Sequence, residues 1–275
     1  MSEAVLTGRL ESEAVADTAL KRAAALWFVV AVAGQWMFAY YIFVFYGGTA
    51  VQGDWAAWAA RMPHGIVEGD GAGNLAIIVH IALAFVITVG GPLQLIPQIR
   101  DRVPALHRWT GRIYIPTAMV ISLGAIYLVW AREAIVGGVV GQVAITLNGV
   151  LIMLCAAMTV RHALARNFDV HRRWAMRTFI AASGVWFFRV GFGLWIFLNA
   201  GSAPGSNQTL TGPFDVFLYF ACFLLPLAVL EVYLRAQERA GPLVKTAAAA
   251  GLVVLAAGTG AGIFMAAQIF WLPSL

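Results

Sequence analysis

Charge is scarce in this chain. Asp, Glu, Lys and Arg make up 11% of its 275 residues, where a soluble domain carries roughly 25%. That shortage excludes an ordinary solvated surface. Cysteine is nearly absent: Cys155 and Cys222 are the two present, both inside apolar runs, with no CxxC. A disulfide framework and a structural zinc site are therefore excluded, and each thiol reads as a small buried hydrophobe. No glycine-rich nucleotide loop, nucleophile–base pair or metalloprotease signature occurs, so no catalytic set is assigned. The net charge of +5 is spread over short loops. It leaves no continuous basic face to track phosphates, which excludes nucleic acid as a partner. The first twenty-odd residues are polar and lack a short apolar core with a cleavage site, so the first apolar run is expected to stay as a span.

What the chain has is hydrophobicity: 61% of its residues are apolar and the mean hydropathy is +0.81. A hydrocarbon core about 30 Å thick needs about 20 apolar residues in a helix. Seven runs reach that length, near 24–46, 74–97, 112–131, 138–160, 175–198, 214–234 and 245–271. They are continuous rather than alternating, and only helices or closed barrels satisfy the backbone in lipid. The expected fold is an all-α polytopic membrane helix bundle of seven transmembrane helices. A polar tail, 1–23, precedes a single bundle over 24–271, and the lipid bilayer is the first partner.

Fifteen of the 18 basic residues fall in the N-terminal tail and the even-numbered loops, against Arg61 and Arg132 in the odd ones. The positive-inside rule then places the N-terminus in the cytoplasm and the C-terminus outside. The first outer loop, about 47–73, contains "DWAAWAARMPHG". It reads as a short interfacial helix capped by Asp54, with Trp55 and Trp58 at headgroup depth. The fifth loop, "NAGSAPGSNQTLTGP", reads as a flexible turn region. Gly258 and Gly262 are four apart in the last span, as helices that pack closely require.

A weak internal repeat joins two of the basic loops. "RVPALHRWTGRIY" and "RNFDVHRRWAMRTF" each run from an Arg to a His five residues later, then through Arg and Trp to a further Arg. Both open an inside-to-outside helix, so spans two–three and four–five read as related hairpins. The repeats contribute His107 and His171, and His162 lies close to the second. Two readings stand for these three. Arg and Trp at cytoplasmic helix ends are what interface anchoring produces. Alternatively, His107 and His171, or His162, are axial ligands of a haem b iron. Arg108, Arg112, Arg172 and Arg173 would then pair bidentately with the propionates, and Trp109 and Trp174 would flank the macrocycle.

His80 lies deep in the second span, about 25 Å from its inner end at 1.5 Å per residue. It cannot share an iron with the inner three, and at its own depth His64 of the outer loop is the remaining imidazole. Arg189, in "VWFFRVGFG", sits at a similar depth. An intramembrane Arg costs about 2.5–3.5 kcal/mol on insertion scales and is a functional hypothesis by default. Its candidate partners are Asp215, helix-end carbonyls or an anionic ligand. "GGPLQLIPQIR" puts Gly90, Gly91 and Pro92 into the second span, and Pro92 is expected to kink it. His80, Arg189 and Gln94 are the candidate ligand pocket, for a quinone, a quinol or another small molecule.

These residues carry a family resemblance. His80, "GPLQLIPQIR", "PALHRWTGRIY", "HRRWAMRTF" and Arg189 together resemble the prokaryotic predicted membrane proteins of domain of unknown function 2306, over about residues 74–195. The resemblance implies a multi-helix bacterial inner-membrane protein without an established activity. It places His80, His107, His171 and Arg189 at the family's recurring motif positions. "LHRWTG" is also similar to the di-haem transmembrane cytochromes that pass electrons between ascorbate or quinol and ferric iron. That likeness implies haem- or quinone-linked electron transfer. The alternatives are a small-molecule or lipid-binding transporter that recognises an anion, and an assembly protein without a ligand.

Overall fold

The computed structural model describes residues 3–62, 65–132 and 137–274, and every regular element in them is helical. The first helix, α1, runs over Glu3–Tyr41 and passes through a π-helical turn, Ile42–Gly47, into a short α2, Gly48–Gln52. The polar N-terminal stretch is thus the start of α1 rather than a separate tail. Ala16, Leu20 and Ala23 recur at helical spacing and are buried, and Asp17 accepts from Lys245 at 2.5 Å. The outer loop folds as expected at Asp54, whose carboxylate caps a 3-10 turn, Trp55–Ala60. Trp58 departs from expectation. It is 2% exposed, packs edge-on against Tyr46 at 5.1 Å and donates its indole N–H to Thr49, so it anchors the core rather than the headgroup layer.

The next helices are α3 (Gly71–Leu95), α4 (Pro97–Arg102), α5 (Pro104–Ala131) and α6 (Gly138–Leu164). Asp70 caps α3 through the Gly73 amide and also pairs with Arg132 at 2.9 Å, tying the start of α3 to the end of α5. The α3 helix continues through Pro92 and stops at Ile96, whose backbone is extended, as a residue before proline prefers. Pro97 and Pro104 then occupy first-turn positions of α4 and α5, where a missing N–H is harmless.

The fifth span is corrected. It is two helices, α7 (Phe168–Ala182) and α8 (Gly184–Leu198), bent by 57°. The break falls at Ser183–Gly184. The Ser183 hydroxyl donates back to the Phe179 carbonyl, and Gln35 of α1 donates to that hydroxyl at 2.9 Å. Ser–Gly pairs and inserted polar groups are recognised causes of sharp kinks. Two further spans follow, α9 (Pro213–Arg239) and α10 (Pro242–Ala266), and α10 ends in a π-helical turn, Ala267–Trp271. Among the described residues six helices are long and apolar enough to cross a membrane, and the bent pair makes seven if it counts as one span.

Packing divides the bundle. Helices α3, α5, α6 and α7 close a ring, each touching the next, around Ile87, Tyr114, Ala118, Ile152 and Ala181. Helices α1, α8 and α10 pack beside it around Ala31, Phe38, Trp186, Val190, Ile263 and Ala266. Lipid supplies no hydrophobic drive between spans, so close approach of small residues has to hold them. Gly262 meets this need: a Cβ there would strike the Val190 backbone of α8. The remaining apolar side chains, such as Val29, Leu123, Leu154 and Val254, face outward.

Candidate functional site

The repeat seen in the sequence is also a repeat in structure. In each copy the His amide closes the first α-turn onto the residue before the helix: His107 to Val103 at 3.3 Å, His171 to Asn167 at 2.9 Å. In each copy an Arg lies over the Trp three residues earlier, Arg112 over Trp109 at 5.1 Å and Arg177 over Trp174 at 4.7 Å. The two motifs open α5 and α7, which sit across the ring from each other and start at the same, arginine-rich end.

This arrangement puts His107 and His171 at the same end of the ring, and both are half-buried. The His171 Nδ1 lies 2.9 Å from the Thr159 carbonyl of α6. A carbonyl accepts only, so Nδ1 carries the proton and, in the neutral ring, Nε2 carries the lone pair. The His107 Nδ1 is buried and has no hydrogen-bond partner. His162 is half-buried in the last turn of α6.

The guanidiniums sort by partner. Arg177 makes a bidentate pair with Glu231 at 2.7 and 3.0 Å, and Arg173 pairs with Glu238. Arg108 and Arg172, which directly follow the two histidines, are exposed. Arg112 is exposed over Trp109, itself 62% exposed. The sequence analysis missed the two glutamates. Their signal was present: Glu231 and Glu238 are seven apart on α9, and Arg173 and Arg177 are four apart on α7, so each pair shares a helix face.

Elsewhere the expected pocket residues part company. His80 faces α5: Gly124 lies beside its Nδ1, which is buried without a hydrogen bond, and Ile121 backbone is within reach. Gln94 is 14 residues further along α3, roughly 21 Å away, where it bonds Thr110 of α5. Arg189 turns to α1. It donates to the Val185 carbonyl at 3.2 Å and lies 5.1 Å from the Phe38 ring. Asp215 is not its partner. That carboxylate is fully buried and accepts from Ser206 and the Asn207 and Gly212 amides, which ties down the fifth loop. His64 lies outside the described residues.

Among the described residues no group of three or more His, Cys, Asp or Glu side chains converges to hold a metal ion; a bis-imidazole haem needs two. An apolar groove of about 350 Å³ runs between α1 and α3, lined by Trp36, Ala39, Tyr40, Phe43, Phe85 and Val89.

Residues 77–234 match the family described as "Predicted membrane protein (DUF2306)". No curated protein and no solved structure matches the chain.

Proposed function

The chain belongs to the DUF2306 family of predicted membrane proteins, and on that footing we propose that it is an electron-transfer protein holding one b-type haem between His107 and His171. The observation that supports this reading is that two imidazoles hold equivalent first-turn positions of an internal repeat, at the same end of one helical ring. Two features of these side chains support the reading. His171 is oriented by the Thr159 carbonyl, the way a ligating histidine is usually held, and His107 keeps a buried ring nitrogen without a partner. Arg108 and Arg172 are placed one residue from each ligand with no carboxylate of their own, as propionate partners should be. Bound haem would supply one-electron chemistry, and the chain supplies ligation, charge and orientation. The arginine-rich end would face the cytoplasm of a bacterial inner membrane.

The test is the visible spectrum of protein purified in mild detergent from haem-replete cells, oxidised and dithionite-reduced. A Soret band with sharp reduced bands, lost in His107→Ala and in His171→Ala and kept in His162→Ala, supports the reading. A colourless wild-type protein overturns it.

A further inference from the structure

At the end opposite His107 and His171, three described side chains, Arg189, Arg61 and Trp271, carry N–H groups with few acceptors. Arg189 carries five N–H groups, and the structure gives them one acceptor, the Val185 carbonyl. Tyr46 stands edge-on to Tyr41 at 5.8 Å and to Trp58 at 5.1 Å, and Arg61 follows Trp58 by three residues. Among the described residues Arg61 meets the Pro273 carbonyl at 3.4 Å. Beside Phe38, at 5.5 Å, stands Trp271, whose buried indole N–H has no acceptor. Of the described acids at this end, Asp54 caps Ala57, Asp70 holds Gly73 and Arg132, and Asp215 holds its loop. Glu68 is exposed in the outer loop.

Among the described residues no carboxylate is paired with Arg189 or Arg61, and guanidiniums beside an aromatic wall suit an oxyanion from outside the chain. Depth says what must carry it. Arg189 lies nine residues from the end of α8, about 14 Å at the helical rise, with the lipid-facing Val185 one turn away. A hydrated free ion is costly to bring there. An anion on an apolar tail is delivered by the bilayer itself. We propose that Arg189, with Phe38, Tyr41 and Tyr46 as its wall and Arg61 at the same end of the bundle, binds the phosphate or carboxylate group of an anionic amphiphile.

The experiment uses the full chain reconstituted in nanodiscs of phosphatidylcholine with a minor share of phosphatidylglycerol. Lipid retained after extraction into mild detergent is counted by native mass spectrometry. A parallel arm offers inorganic phosphate to protein in phosphatidylcholine alone. The wild type is expected to retain one phosphatidylglycerol. Arg189→Gln lowers the retained fraction about tenfold, equivalent to about 1.4 kcal/mol. Arg61→Gln lowers it about threefold by the same arithmetic. Arg189→Lys keeps the charge without the planar fork and falls between. Equal retention by wild type and Arg189→Gln overturns the proposal, and so does a wild type that keeps no phosphatidylglycerol. Inorganic phosphate bound as well as the lipid overturns the amphiphile. If Arg189→Gln does not fold, Arg189→Lys and Arg61→Gln carry the same comparison. The haem spectrum is not read in this experiment, so its outcome is separate from that of the electron-transfer reading.

Discussion

The two copies of the His–Arg–Trp motif occupy the same end of the ring, in contrasting surroundings. In the first copy, Trp109 is 62% exposed, Arg112 is exposed above it, and the His107 Nδ1 has no partner. In the second, Trp174 is half-buried, Arg177 forks onto Glu231, and the His171 Nδ1 meets the Thr159 carbonyl. Helix α9 makes much of the difference: it packs on α6 and α7 and brings its glutamates to the second copy. A motif therefore specifies a local geometry, here a helix start with an Arg stacked on a Trp. What that geometry does is set by the neighbour it meets.

Seven substitutions probe this contrast by thermal or denaturant unfolding in mild detergent. The largest effect is expected from the arginine pair. Arg177→Ala removes two charge-assisted hydrogen bonds and leaves Glu231 alone, for a loss of about 3 kcal/mol. Arg112→Ala loses an exposed cation–π contact of about 0.5–1 kcal/mol. Equal losses would dissolve the contrast. Gly91→Ala comes next, because Gly91 is where α3 meets both α5 and α7. The added Cβ would lie 3.0 Å from Phe179 and 3.3 Å from Tyr114, and the overpacking is expected to cost about 2 kcal/mol. Full wild-type stability would mean that the rings yield freely.

Smaller effects separate the hairpins. The α6–α7 hairpin is joined by the buried Thr159–Thr178 hydroxyl pair at 3.0 Å, and the α3–α5 hairpin by the half-buried Gln94–Thr110 bond. Thr178→Val is expected to lose about 1 kcal/mol. Thr110→Val should lose less, since water reaches Gln94 when its partner goes; the reverse order would contradict the burial argument. The smallest effect is at the tryptophans. Trp109→Phe is expected to stay within about 0.5 kcal/mol of wild type, as exposed substitutions do, and Trp174→Phe to exceed it.

Much of this fold was readable in advance. The spans follow from run length, the Asp54 cap from its position before "WAAW", and the α8–α10 approach from Gly258 and Gly262. The repeat predicted two matched helix starts, and both are there. Other features were hidden. Ser183 and Gly184 are ordinary in an apolar run. Their break appears only because Gln35, distant in sequence, reaches the Ser183 hydroxyl. Asp215 looked available to Arg189, yet the fifth loop folds back and takes both its oxygens. His80, Gln94 and Arg189 shared a list of polar residues in apolar surroundings. Their neighbours depend on how each helix is rotated about its axis, and hydropathy does not report rotation where lipid and protein are equally apolar.

The sequence by itself determined that the chain is a helical membrane protein and where its spans lie. The free energy of moving a run into hydrocarbon, and the need to satisfy its backbone there, are properties of each segment alone. Only the tertiary structure decided that Arg177 pairs with Glu231, that Asp215 closes on its own loop and that Arg189 turns to α1. Those pairings depend on rotation, tilt and close contact between helices, which small residues and polar partners from distant segments set together.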